Sequence, residues 1–434
     1  MGWAAPCLCC RITAMRHCHN FLLVVLFLLS ACEMAPDPNS NFGIPSPTPF
    51  QPGTENASDS PYSAPAPTPL FLPTFTPLPP TPTQAAASPD ASSPALALPQ
   101  LINPSDVNPL TGLPVDAPAL LDRHPIAVKV ANYPRYIRPQ SGLTLADQVY
   151  EYYIEGGLTR FIAVFYSNNS EWVGPVRSGR FFDENIQRMY HSYLVFKFAD
   201  PRVLDYFKTT DFAEYLVTPT IGSCPPFRKM SQARPTMEDY NNEYFNTVAW
   251  ADCIARNNLD NTRPALRPGL FSETPPNVPL SGTQVFTYYS VDSYNYWLYR
   301  PETGQYVRYQ ERDSTRNGKE ETYDPLLDNV TATAVHASNV VVLFAYHTFA
   351  NAYDADDEVY HIDLTGSGEA YIFRDGVGII AKWNRVTRDQ PLLLTTPLGE
   401  AIALRPGITF YQVIGKNSFV DQSDGEWNFH HTPP

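Results

Sequence analysis

The chain has no run of lysine and arginine. Of its 434 residues, 30 are basic and 44 acidic, for a formal net charge of −14. Nucleic-acid binders draw much of their affinity from neutralising phosphates, so this balance argues against DNA or RNA as a partner. No apolar run reaches the roughly 20 residues that a membrane-crossing helix needs. The N-terminal run Phe21–Leu29 has only nine. No HExxH, no pair of CxxC motifs and no Ser-centred GxSxG occurs. The usual spellings of a zinc protease, a thiolate zinc site and a serine hydrolase are therefore missing. No metal and no cofactor is expected, and His191, His336, His347 and His361 lie scattered. Cysteine is scarce: beyond Cys32 only Cys224 and Cys253 remain.

What is present begins with an address. In "MRHCHNFLLVVLFLLSAC" (Met15–Cys32) a short basic start precedes the nine-residue apolar run. That length suits a signal-peptide core. The run ends in "LSAC", which resembles the bacterial lipobox; the resemblance implies that Cys32 becomes the lipidated first residue. A plain secretory signal is the alternative. Residues 1–14 are not needed by such a signal, so Met15 is a second possible start and Cys7, Cys9 and Cys10 fall before it.

From Glu33 to Pro104 there are 19 prolines in 72 residues and no lysine or arginine. Such a composition cannot bury enough apolar surface to offset backbone ordering, so a disordered tether is expected. Pro-rich chain favours polyproline II at about 3.1 Å per residue, a reach on the order of 200 Å. The expected organisation is a signal segment at 1–32, the tether at 33–105, a mixed α/β domain at 106–262, a Pro-rich connector at 263–280, a β-rich domain at 281–416 and a tail at 417–434. The fold class is α+β.

Within 106–262, "PIAVKVAN", "TRFIAVFYS" and "YLVFKF" read as strands. "SGRFFDENIQRMY" (Ser178–Tyr190) has helical spacing with Ser178 as its N-cap, and "EYFNTVAWADCIARNN" (Glu243–Asn258) reads as a second helix. Beyond residue 280, ten short runs separated by turn residues predict a sheet-rich domain. Among them, "GSGEAYIFRDG" (Gly366–Gly376) reads as a hairpin, since no helix follows to offer phosphate a binding pole.

The residues that invite a function are charged. Arg160, Arg177 and Arg180 surround "GPVRSGR". Arginine offers a planar fork of donors suited to carboxylate, phosphate or sulfate. With Ser178 at a helix start, they make an anion site; the competing reading is that they pair with Glu151, Glu155 or Asp183. Glu151 and Glu155 lie four apart, on one face of a helix or a strand. Two carboxylates are also what glycoside hydrolysis uses. Cys224 and Cys253 either pair in an oxidising exterior or stay as buried thiols.

"NPLTGLPV", "RHPIAVKVANYPRYIRPQSGLTLADQVYEYYIEGGLTRFIAVFYS" and "WVGPVRSGR" resemble the N-terminal half of the YerB-like lipoproteins, the DUF3048 family. "NVVVLFAYH", "GSGEAYIFRDG", "KWNR" and "LRPGITF" resemble its C-terminal domain. The resemblance implies an extracytoplasmic lipoprotein of two linked domains, without an assigned activity. The expected function is binding or scaffolding in the cell envelope, with an anionic wall polymer, a peptide or an envelope protein as partner. The alternative is an envelope-polymer hydrolase.

Overall fold

The computed structural model describes residues 104–221, 224–230, 237–350 and 358–434. The signal segment, with Cys7, Cys9, Cys10 and Cys32, lies outside the described residues, as does the tether up to residue 103.

Two large sheets carry an α+β fold. The larger has eleven strands. From one edge they run Leu393–Thr395, Val377–Arg385, Gly366–Arg374, Asn339–Phe349, Thr409–Gly415, Gln148–Ile154, Leu158–Phe165, Ile126–Ala131, Tyr193–Val195 and Leu216–Val217; Tyr360–Asp363 pairs beside Asn339–Phe349. Strands from both halves of the sequence thus share one sheet, joined where Thr409–Val413 runs parallel to Gln148–Tyr152. The second sheet has seven strands, in the order Tyr323–Pro325, Gln305–Glu311, Ser293–Arg300, Gln284–Ser290, Glu426–His430 and Phe419–Ser423, with His336–Ala337 beside Gln305–Glu311. The stretch 417–434, expected as a tail, supplies two of these strands. Nine of the ten runs read beyond residue 280 form strands; "EAIALRPG" makes only isolated bridges, Ala401 to Thr395 and Leu404 to Phe271.

The large sheet is covered on both faces. Every residue of Ile126–Ala131 and Gln148–Ile154 is buried, which is why these strands read as near-continuous apolar runs. In Gln148–Ile154 the pleat sends alternate side chains to opposite faces. Tyr150 and Tyr152 face Phe182 at the start of a helix, and Tyr150 stacks on Tyr411 with ring centroids 4.4 Å apart. Glu151 faces the second sheet, where Trp297 packs on Phe410 and donates to Gln412 at 2.9 Å.

Three α-helices lie among the described residues: Asp183–Tyr190, Pro201–Thr209 and Thr247–Asn257. The second was not anticipated, although Asp200 caps it by accepting from the Arg202 N–H and Pro201 opens its first turn. The third begins later than expected because Glu243–Phe245 is a strand; Asn246 caps it, accepting from the Ala249 N–H at 2.9 Å. A Cys224–Cys253 disulfide, with Cα atoms 5.7 Å apart, ties this helix to the preceding loop. Closing a loop of this size stabilises by about 3 kcal/mol. Replacing Cys253 by serine is expected to lower the unfolding free energy by about that amount. Urea titrations with and without reductant check it: reductant should weaken the native chain and leave the variant unchanged. No helix among the described residues is long and apolar enough to cross a membrane.

Candidate functional site

Extended backbone, not a helix entry, carries "GPVRSGR". The Arg177 N–H donates to the Lys129 carbonyl (3.1 Å), Lys197 N–H donates to the Arg177 carbonyl (3.0 Å), and Gly179 N–H donates to the Phe198 carbonyl (2.7 Å). Ser178 therefore does not cap the helix, which starts five residues later at Asp183, with Phe182 before it and no side-chain cap. The cause is local. The Asp183 carboxylate accepts from the Arg180 N–H at 2.8 Å while its own N–H donates to the Arg180 carbonyl at 3.0 Å. That turn holds residues 180–183 before the helix can begin.

Asp183 also anchors a buried cation. Lys129 and Asp183 are both fully buried, 2.8 Å apart. The Tyr152 hydroxyl donates to the same carboxylate oxygen at 2.5 Å, and the Lys129 ammonium lies 3.8 Å from the Tyr152 ring centre. Burial pushes the Lys129 pKa down to about 7, against the pull of Asp183. Lysine in the middle of an apolar run, "PIAVKVAN", was the available signal for a buried partner, and sequence reading passed over it.

The three expected arginines do gather here. Arg180 grips Glu155 with two nitrogens, Nε at 2.8 Å from Oε2 and a terminal nitrogen on Oε1. Arg160 donates to the Ser178 carbonyl at 2.9 Å and lies 3.7 Å from Glu155. Arg177 donates to the side-chain oxygen of Asn241 and lies over the Tyr240 ring at 5.4 Å. Among the described residues Arg177 forms no ion pair. Burial lowers the pKa of Arg160 and of Arg180 to about 10, with Asp183 opposing. Arg177 is lowered too, by burial first and by Arg160 second. Three of these cations, Lys129, Arg160 and Arg180, thus share two carboxylates, Asp183 and Glu155.

Glu151 does not join them. It is fully buried and paired with fully buried Arg308 at 2.8 Å between the two sheets. Thr159 donates to its other oxygen at 2.8 Å, and Asn132 and Asn295 donate at 3.3 and 3.4 Å. The even spacing misleads because the strand ends at Ile154. Glu155 sits in a turn where Gly156 and Gly157 take φ of 71° and 74°, left-handed values that glycine adopts readily. That turn swings Glu155 toward Arg180. Arg138, part of the same sequence pattern, belongs to the seam between the sheets as well, pairing with buried Glu311 at 2.5 Å.

Fold and site together define a two-sheet α+β protein with a buried lysine–aspartate pair under an arginine cluster. The family model described as "Protein of unknown function (DUF3048) N-terminal domain" matches residues 110–259, and its C-terminal counterpart matches residues 285–411. The chain belongs to this family. It is similar to YerB of Bacillus subtilis (strain 168), whose name describes it as a lipoprotein: 52% identical over 71 residues, 16% of this chain and 21% of the relative. The matched segment therefore spans about a fifth of that relative's length. A crystal structure of YerB protein from Bacillus subtilis shares the fold, with a TM-score of 0.58 at 24% identity, over 71% of this chain and 96% of that one.

Proposed function

We propose that this chain is a lipid-anchored protein of the outer face of a bacterial membrane and that it holds an anionic group of the envelope at Arg177. The "LSAC" sequence, the Pro-rich stretch and the name of the Bacillus relative support the anchor at Cys32. Arg177 supports the binding. It is a partly buried guanidinium beside Arg160; a neutral amide and a ring are its direct partners, and the exposed Glu238 carboxylate acts on it from beyond Asn241. A phosphate or carboxylate there completes a charge-assisted pair. Arg180 and Glu155 act as the frame, locking the backbone that presents Arg177. The rim is aromatic: Tyr136, Phe198 and Tyr240 are each at least half exposed, which suits a polymer that carries sugar or peptide groups between its charges.

The test is binding of purified wall polymer, and of a glycerol-phosphate polymer as defined probe, to the full chain and to Arg177→Ala. The variant is expected to bind about tenfold more weakly or worse, and raised salt to weaken the native interaction. Unchanged affinity in a folded Arg177→Ala chain rejects the site.

A further inference from the structure

A cavity of about 260 Å³ opens at the far end of the strand Asn339–Phe349. Its origin lies in the sheet. That strand pairs with Gly366–Arg374 only as far as Leu343, then turns to Tyr360–Asp363 from Tyr346 onward. On its other side, pairing with Thr409–Gly415 stops at Ala345. Tyr346 thus projects past both neighbours, and a gap opens between the partner it leaves and the partner it joins.

The gap has a built floor. Gly368 lies opposite Trp383 in the ladder. A Cβ at Gly368 would stand 2.4 Å from the indole nitrogen and 2.6 Å from the Phe344 carbonyl. Only a bare backbone lets the indole cross this strand and donate to Phe344 at 2.9 Å. The glycine-rich "GSGE" of the Gly366–Gly376 hairpin therefore makes room for an aromatic surface. The walls are polar. Ser367, Glu369 and Asp363 line the cavity, and Lys416 sits with its ammonium 5.9 Å from the Tyr346 ring centre. Tyr346 itself is 58% exposed.

We infer that this cavity binds a pyranose sugar unit. A sugar ring has an apolar face of C–H groups and an edge of hydroxyls. An exposed aromatic ring covers the first; carboxylates and hydroxyls pair with the second, since a carboxylate accepts from two neighbouring sugar hydroxyls at once. Asp363 and Glu369 outnumber Lys416 in the lining, which disfavours an anionic ligand. The site is separate from Arg177 and does not depend on the anion reading.

The experiment titrates N-acetylglucosamine, its β-1,4-linked tetramer and maltotetraose into the full chain, followed by calorimetry and by saturation-transfer NMR. Saturable binding of at least one sugar is expected, with Tyr346→Ala weakening it about tenfold and Tyr346→Phe retaining it within about threefold. Glu369→Gln is expected to weaken it about three- to tenfold. Tighter binding of a tetramer than of the monomer identifies a glycan strand as the ligand; equal affinity identifies a free sugar. Absence of saturable binding to all three sugars, or affinity unchanged in Tyr346→Ala, overturns the inference. Arg177→Ala is expected to leave sugar binding intact, so failure at one site is read separately from failure at the other.

Discussion

Replacing Glu151 by alanine is expected to lower the unfolding free energy by about 3–5 kcal/mol, the usual cost of stripping one partner from a buried ion pair. Arg308 would keep its charge in a fully buried position. Its remaining acceptor is the Gln310 side-chain oxygen, at 2.9 Å from Nε and 2.5 Å from a terminal nitrogen. The rings of Phe161, Trp297 and Phe410, 5.1 to 5.4 Å from its guanidinium carbon, offer only weak compensation. Nor is the native pair fully satisfied, since one terminal nitrogen of Arg308 has no hydrogen-bond partner among the described residues. The double replacement Glu151→Leu with Arg308→Met should therefore recover most of the loss, because it removes both charges and keeps the volume. Urea midpoints of the two single variants and the double decide it. A loss below about 1 kcal/mol in Glu151→Ala, or a double no better than the singles, contradicts the account of this seam as charge held by charge.

The second large effect is an acid sensitivity set by two histidines. His347 and His431 lie with ring centroids 5.3 Å apart. The His347 Nδ1–H donates to the Ala345 carbonyl at 3.0 Å, so its Nε2 carries a lone pair. His431 Nδ1 accepts from the Gly415 N–H at 2.9 Å, so its Nε2 carries the proton. Both Nε2 atoms are buried without a hydrogen-bond partner among the described residues. Tyr153 and Tyr289 pack on His431 and Tyr360 on His347, and no carboxylate forms an ion pair with either ring among the described residues. Burial pushes His347 down to about 4; burial, with His347 second, pushes His431 down to about 3. The unfolded chain therefore takes up these protons near the ordinary histidine value, and the folded chain only well below it. Stability is complete above about pH 6.5 and falls as pH drops from there toward the folded values, by about 2–3 kcal/mol per ring at roughly pH 4.5. His347→Gln and His431→Gln should each flatten the pH dependence of the urea midpoint across that window. A profile identical to the native one removes the histidines as its cause.

Much of the fold was legible and its joining was not. Strands such as Ile126–Ala131 announce themselves because a sheet covered on both faces needs an unbroken apolar run. The parallel pairing of Thr409–Val413 with Gln148–Tyr152 left no local trace, since it joins segments some 260 residues apart. Charged chemistry was legible as residue type and in part as partner, since the pairing of Arg180 with Glu155 was among the readings. Arg160, Arg177 and Arg180 were found together, while Glu151 and Glu155, read as sharing a face, are separated because the strand ends between them at Ile154. Ser178 looked like a cap because Ser commonly plays that part; the carboxylate of Asp183 claimed the turn instead.

The shared sheet also dictates an order of manufacture. Strand Gln148–Ile154 is made early, yet one of its two edges stays bare until Thr409–Gly415 has been synthesised. An unpaired edge of apolar strand is a template for other chains. That edge therefore waits through the synthesis of roughly 250 further residues, an interval in which pairing with another chain competes with folding.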